Sequence, residues 1–218
     1  MKRHSSLRAG FTLIELLVVI TIIGILATLA PSAINGVLTN ANQAKAINGA
    51  RNVAMALKLF AYDHDNAFPD GTSAANAFTK LLPGDATSSG YIKDKKSFIV
   101  KGSAYTPSVA SGNQSDALKI GTKENHWAYF SNLSTDGGED WPLIFDGPAS
   151  DDGTYTNKKG EKGGVWEGKV AIVARINGSV EKLGLDSTFK LKTGEMDNAL
   201  KPDEGKGWIV GGKYQAPY

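Results

Sequence analysis

From Phe11 to Ala30 the chain runs 20 residues with one charge, Glu15. A run of that length suits a hydrocarbon core, which needs about 20 apolar helical residues for ~30 Å. Past Pro31 the pattern becomes amphipathic. Ile34, Val37, Leu38, Ala41, Ala44, Ile47, Ala50, Val53, Ala54, Leu57 and Phe60 recur at three- and four-residue steps, with Asn, Gln, Lys and Arg between them. These two stretches, 11–30 and 31–63, predict one continuous helix with weak points at Gly24, Pro31 and Gly36 and a bend near the proline. Its length would be roughly 80 Å at 1.5 Å per residue. Such a helix suits the core of a filament better than a monomeric domain.

The turn residues from Tyr62 to Gly71 end the helix. Residues 72–95 read as a surface connection with a short helix around Ala74 to Leu82. Short β-forming runs follow at Ser97–Lys101, His126–Ser131, Leu143–Asp146 and Trp208–Val210. The clearest hairpin pairs Val170–Ile176 with Ser179–Leu183 across Asn177-Gly178, the preferred pair for a two-residue type I′ turn. The predicted fold class is therefore α+β: a long N-terminal helix, then a globular part over 64–218 built on a small antiparallel sheet.

The segment before the apolar run, Met1 to Gly10, is short and basic through Lys2, Arg3 and Arg8. By the positive-inside rule those charges place the N-terminal end in the cytoplasm and everything past Pro31 across the membrane. Glu15 is costly in hydrocarbon, roughly 2.5–3.5 kcal/mol on insertion scales, and calls for a partner. The stretch from Gly10 to Ala30, with its basic leader, Gly-Phe junction and single acid, closely resembles the signal of type IV prepilins and type II secretion pseudopilins. The resemblance implies that residues 1–10 are a leader, that a prepilin peptidase cuts between Gly10 and Phe11, that Phe11 is then N-methylated, and that Glu15 is the family's assembly acid. The family's helix-bending proline stands one position early here, at Pro31.

The chemistry of that match is coherent. A free α-amine on Phe11 has a reference pKa of about 7.7–8.0 and is mostly protonated at neutral pH. Phe11 and Glu15 are four residues apart, about 6 Å of helical rise. Sliding one helix along an identical one by that distance sets the amine of one subunit beside the carboxylate of the next. The pair offsets two desolvation costs and fixes the stagger.

Composition limits other functions. The formal charge of +2 includes Lys2, Arg3 and Arg8; without them 21 basic residues face 22 acidic ones, a net of −1. No nucleic-acid partner is expected from such a balance. Cysteine is absent, which excludes thiol chemistry and a disulfide framework. No serine stands in a nucleophile-elbow context, and His4, His64 and His126 lack metal-ligand spacing. No catalytic residue and no organic cofactor is predicted. The acidic stretch with Asp136, Glu139, Asp140 and Asp146 has two readings: a calcium site, for which major pseudopilins offer a precedent, or solvated turns, which are commoner. The glycine- and lysine-rich loop over 153–168 lacks P-loop spacing and reads as exposed. Trp127, Trp141, Trp166 and Trp208 read as sheet core before they read as a binding platform.

The resemblance implies a structural subunit of a homo-oligomeric helical filament, with other pilin-like subunits, an inner-membrane assembly platform and membrane lipid as further partners. The expected location is the inner membrane, single-pass, then a periplasmic or surface filament. The helix exit and the lack of a C-terminal cysteine pair favour a type II secretion pseudopilus supporting protein export. The alternatives are a type IV pilin of a surface filament and, in another class, a signal-anchored periplasmic enzyme or glycan-binding protein.

Overall fold

The computed structural model describes residues 11–84, 90–93, 95–106, 119–121, 123–193, 196–197 and 213–217. Gly10 and the Trp208–Val210 run lie outside the described residues. Helix α1 spans Leu13–Tyr62 and α2 spans Ala74–Thr79. Strands β1 to β4 are Trp127–Ser131, Pro142–Asp146, Val170–Arg175 and Val180–Gly184; β5 (Lys192–Thr193), β6 (Met196–Asp197) and β7 (Lys213–Gln215) are shorter. Two compact units divide the chain, residues 1–41 and 42–218.

In the first unit every large apolar side chain from Phe11 to Leu26 is exposed. Polar groups in this stretch are satisfied within the helix: the hydroxyls of Thr21 and Thr28 donate to the carbonyls of Leu17 and Ile25, both at 2.7 Å. Among the described residues no helix is long and apolar enough to cross a membrane.

In the second unit the 3.6-residue periodicity does what the pattern requires. Ala46, Ala50, Val53, Ala54, Leu57, Phe60 and Ala61 of α1 are buried and belong to one core cluster with the sheet. The alanines keep that face of the helix low, so bulk comes from Phe78, Phe98, Trp127, Tyr129, Phe130 and Phe145. Burying a large apolar side chain contributes about 1.5–3 kcal/mol.

The five-stranded sheet has the order β4-β3-β2-β1-β7 and its pairs are antiparallel. Strands β1 and β2 are buried along their whole length, which explains their unalternating sequences Trp-Ala-Tyr-Phe-Ser and Pro-Leu-Ile-Phe-Asp. Register places Tyr129 opposite Ile144 on one face, where the Tyr129 ring lies 5.2 Å from that of Phe78. Ala128 opposite Phe145 and Phe130 opposite Tyr214 share the other face, with the rings of Phe130 and Phe145 5.0 Å apart. Edge strand β4 is half-buried at Val180 and Leu183 and exposed at Glu181, Lys182 and Gly184. Its Glu181 pairs with Arg175 at 3.2 Å, and Lys182 Nζ donates to Gln43 Oε1 at 3.2 Å.

Three expectations are corrected. Ser97–Lys101 is not a strand: Lys95–Phe98 forms a 3₁₀ turn. There the Ser97 carbonyl accepts from Trp127 Nε1 and the Phe98 carbonyl from His126 N, both at 2.8 Å, so these groups are spent outside a strand ladder. The hairpin turn has three residues, Ile176 to Gly178, with Arg175 N donating to Ser179 O at 2.9 Å and a positive φ at Gly178 but not at Asn177. Ile176 is drawn out of the pairing because it is buried and its N–H donates to Trp141 O at 2.9 Å. The result is the glycine-ended three-residue loop common in hairpins. Finally, α2 stops at Thr79, short of Leu82.

The exit from α1 is tied to the loop after β1. The His64 ring stacks on Phe60 at 3.8 Å, and Asp65 and Asn66 take left-handed backbone at φ 51° and 61°. Thr135 N then donates to Asn66 O at 3.0 Å and Asn66 Nδ2 to Asp136 Oδ1 at 3.3 Å. Across the domain, residues 216 and 217 close the start of α2: Ala74 N and Ala75 N donate to the Ala216 and Pro217 carbonyls, at 2.9 and 3.2 Å.

Candidate functional site

The N-terminal site is built by four consecutive backbone positions. Thr12 precedes the first helical residue, Leu13, and Glu15 stands three residues on. Glu15 N donates to Thr12 Oγ1 at 3.3 Å, while Glu15 Oε2 accepts from Thr12 N at 2.8 Å and from the Thr12 hydroxyl at 2.7 Å. This is a reciprocal capping box, and it satisfies amide groups at the start of the helix that have no intrahelical partner. The carboxylate also sits at the positive end of the helix dipole. Phe11, Ile14, Glu15, Val18 and Val19 line a shallow concavity, so the acid lies among apolar side chains together with Phe11, which precedes the helix. The Thr-x-x-Glu spacing signals this cap in the sequence; Thr12 is the functional neighbour that sequence reasoning passed over.

The four acidic candidates for calcium do not form one group. Asp146 is buried, and its carboxylate accepts from His126 Nε2 at 2.6 Å, Trp166 Nε1 at 2.8 Å and Ile172 N at 2.6 Å. It is a core hub, not a loop ligand. Asp136 accepts from Asn66 Nδ2 and Ser134 Oγ, Asp140 from Asn177 Nδ2 at 3.2 Å, and Glu139 is exposed. Among the described residues no group of three or more His, Asp or Glu side chains is placed to hold a metal ion.

Ser103, His126 and Asp146 form a line missed in the sequence, with Ser103 Oγ 2.7 Å from His126 Nδ1. The order resembles a nucleophilic triad, but all three residues are at most 3% exposed, so substrate has no approach. Tyr155 adds a bond from its hydroxyl to the Asp146 carbonyl at 2.9 Å, and Tyr105 Oη donates to the Pro148 carbonyl. The network fixes the sheet to the loop after β2. In that loop, Asp152 is held well below the usual carboxylate range by hydrogen bonds from Ser150 and Thr154, with Lys190 nearby.

The capped apolar helix and the small antiparallel sheet define an α+β fold of the pilin class. Residues 5–31 match the prokaryotic N-terminal methylation motif. The chain is 37% identical over 130 residues to a fimbrial protein of Neisseria meningitidis serogroup B, covering 60% of this chain and 71% of that one. A fimbrial protein from serogroup A of the same species is 34% identical, over 57% of this chain and 68% of its own. The type IV major pilin protein of Neisseria gonorrhoeae is 32% identical, over 57% and 69%. No solved structure matches the chain. The chain belongs to the type IV pilin and pseudopilin family.

Proposed function

We propose that the protein is the subunit of a type IV surface filament, made as a precursor, cut between Gly10 and Phe11 and N-methylated on Phe11. The observation that carries this reading is the joint match of residues 5–31 to the methylation motif and of 130 residues to a fimbrial protein. The relatives' names are those of fimbrial and type IV pilin proteins, so a surface filament takes precedence over the secretion pseudopilus favoured by the helix exit. Residues 11–30 hold the processed subunit in the inner membrane, with the sheet domain on the far side, until a sister helix replaces lipid. This rests on the apolar run and the basic leader.

Within the filament the two oxygens of Glu15 divide the work. Oε2 is engaged by Thr12, and Oε1 is left for the Phe11 amine of a neighbour one turn away. Glu15 thereby keeps its cap while it sets register. Shearing cells that make the protein should release filaments whose subunit begins at N-methylated Phe11. Deleting the gene should abolish them without affecting protein export. Loss of export with no surface filament would return the chain to the secretion class, and a membrane form retaining residues 1–10 would make it a signal-anchored protein.

A further inference from the structure

A groove of about 510 Å³ runs along α1 beside residues 91–93, 96 and 97. It is lined by Met55, Ala56, Leu59, Tyr91 and Ile92, with the exposed Lys93 and Lys96 beside them. Met55 and Leu59 are 55% and 52% exposed although they sit on the helix that builds the core. Large apolar side chains with a cationic rim call for an occupant that is apolar or slim at its centre and negative at its edge.

The same domain carries such an element elsewhere. The loop from Ser134 to Trp141 presents Asp136, Glu139 and Asp140, all exposed. Among the described residues none of these carboxylates pairs with a lysine or arginine side chain. Its tip is thin: Gly137 and Gly138 lie against the Trp141 ring, and a Cβ on Gly138 would fall 2.4 Å from the indole nitrogen. The loop is anchored at the exit of α1 through Asn66, whereas the groove lies along residues 52–59 of α1, where Asn52 Nδ2 donates to Ser97 Oγ. The two surfaces are complementary and lie at different places on one chain. Such a pair joins copies head to tail, the kind of contact that builds an open helical filament wherever its rotation does not close into a ring.

We infer that the loop over residues 134–141 of one copy seats in the Met55–Leu59 groove of the next, with Glu139 and Asp140 facing Lys93 and Lys96. The inference rests on the filament reading above and names a contact between its globular domains. Because the chain has no cysteine, Leu59→Cys with Glu139→Cys reports the contact directly. Oxidised filaments of the double variant should run as a ladder of multimers without reductant, and each single variant should not. Lys93→Glu alone, or Glu139→Lys alone, should raise the subunit level needed for filaments about fivefold, and the two together should restore it. Filaments that form with neither ladder nor rescue would overturn the contact and leave the filament reading standing. A cysteine pair that blocks assembly leaves the decision to the charge swap. Wild-type subunits found only unassembled would overturn both.

Discussion

Glu15 Oε2 accepts both the backbone N–H and the hydroxyl of Thr12, at 2.8 and 2.7 Å, so the proposed assembly acid also caps the helix that carries it. Two substitutions separate these duties. Glu15→Gln keeps a capping acceptor and removes the charge. It should leave cleavage and insertion intact and abolish filaments, with processed subunit accumulating in the membrane. Thr12→Val removes the hydroxyl and keeps the charge. It should loosen the helix start by about 1 kcal/mol yet still allow filaments. Wild-type filament yield from Glu15→Gln would show that the carboxylate is incidental to assembly.

Processing should depend on the residue before the junction. A peptidase must bring its catalytic groups close to the scissile backbone, and a residue without Cβ permits that approach. Gly10→Leu should yield an unprocessed precursor, seen by intact mass as a chain ten residues longer than the mature form. Normal maturation of this variant would contradict the prepilin assignment.

Asp146 and Glu139 should behave oppositely although both are acidic. Asp146→Ala strands the N–H donors of Trp166 and Ile172 and removes the partner of His126. Breaking a buried charged network in this way should cost about 3–5 kcal/mol in a denaturant titration. Glu139→Ala, at an exposed position, should stay within about 0.5 kcal/mol of wild type. Adding calcium should leave the melting midpoint of the protein unchanged; an upward shift lost in Glu139→Ala would restore a metal role for the loop.

Alkaline pH should unfold the sheet domain through its tyrosines. Burial pushes the phenols of Tyr129 and Tyr155 well above their usual range, with Asp70 and Asp146 adding to the effect. The folded state therefore favours the neutral phenols. That stability is complete below the unfolded-state value of about 10 and declines as pH rises past it. Tyrosinate absorbance at these residues should appear together with loss of the fold. Ionisation at ordinary pH with the sheet intact would contradict their burial.

The long helix and the β3–β4 hairpin were legible because their patterns are local: apolar residues at helical steps, and a turn pair between β-forming runs. The turn's actual shape was not, because Ile176 answers to a distant partner, Trp141 O. Phe98 and Val100 suggested a strand by residue type, but Lys95–Phe98 forms a 3₁₀ turn, and its Ser97 and Phe98 carbonyls accept from Trp127 and His126. Asp146 read as one more turn acid even though it ends an apolar strand, since its partners come from β3 and two loops. The Lys-Tyr-Gln run of β7 is too short to show any period. At the N-terminal site the acid and junction stood out, while the capping threonine beside them was visible in its spacing and overlooked.

Strand β4 bears on how such a subunit survives its own concentration. Packed copies bring sheet edges within reach of one another, and an open edge is a template for fibril-like stacking. Here the edge carries Glu181, tied to Arg175, and Lys182, tied to the helix through Gln43. A strand arriving from another molecule would meet both signs of charge and a lysine already held. Copies of the domain can thus be crowded together without this edge inviting strand addition.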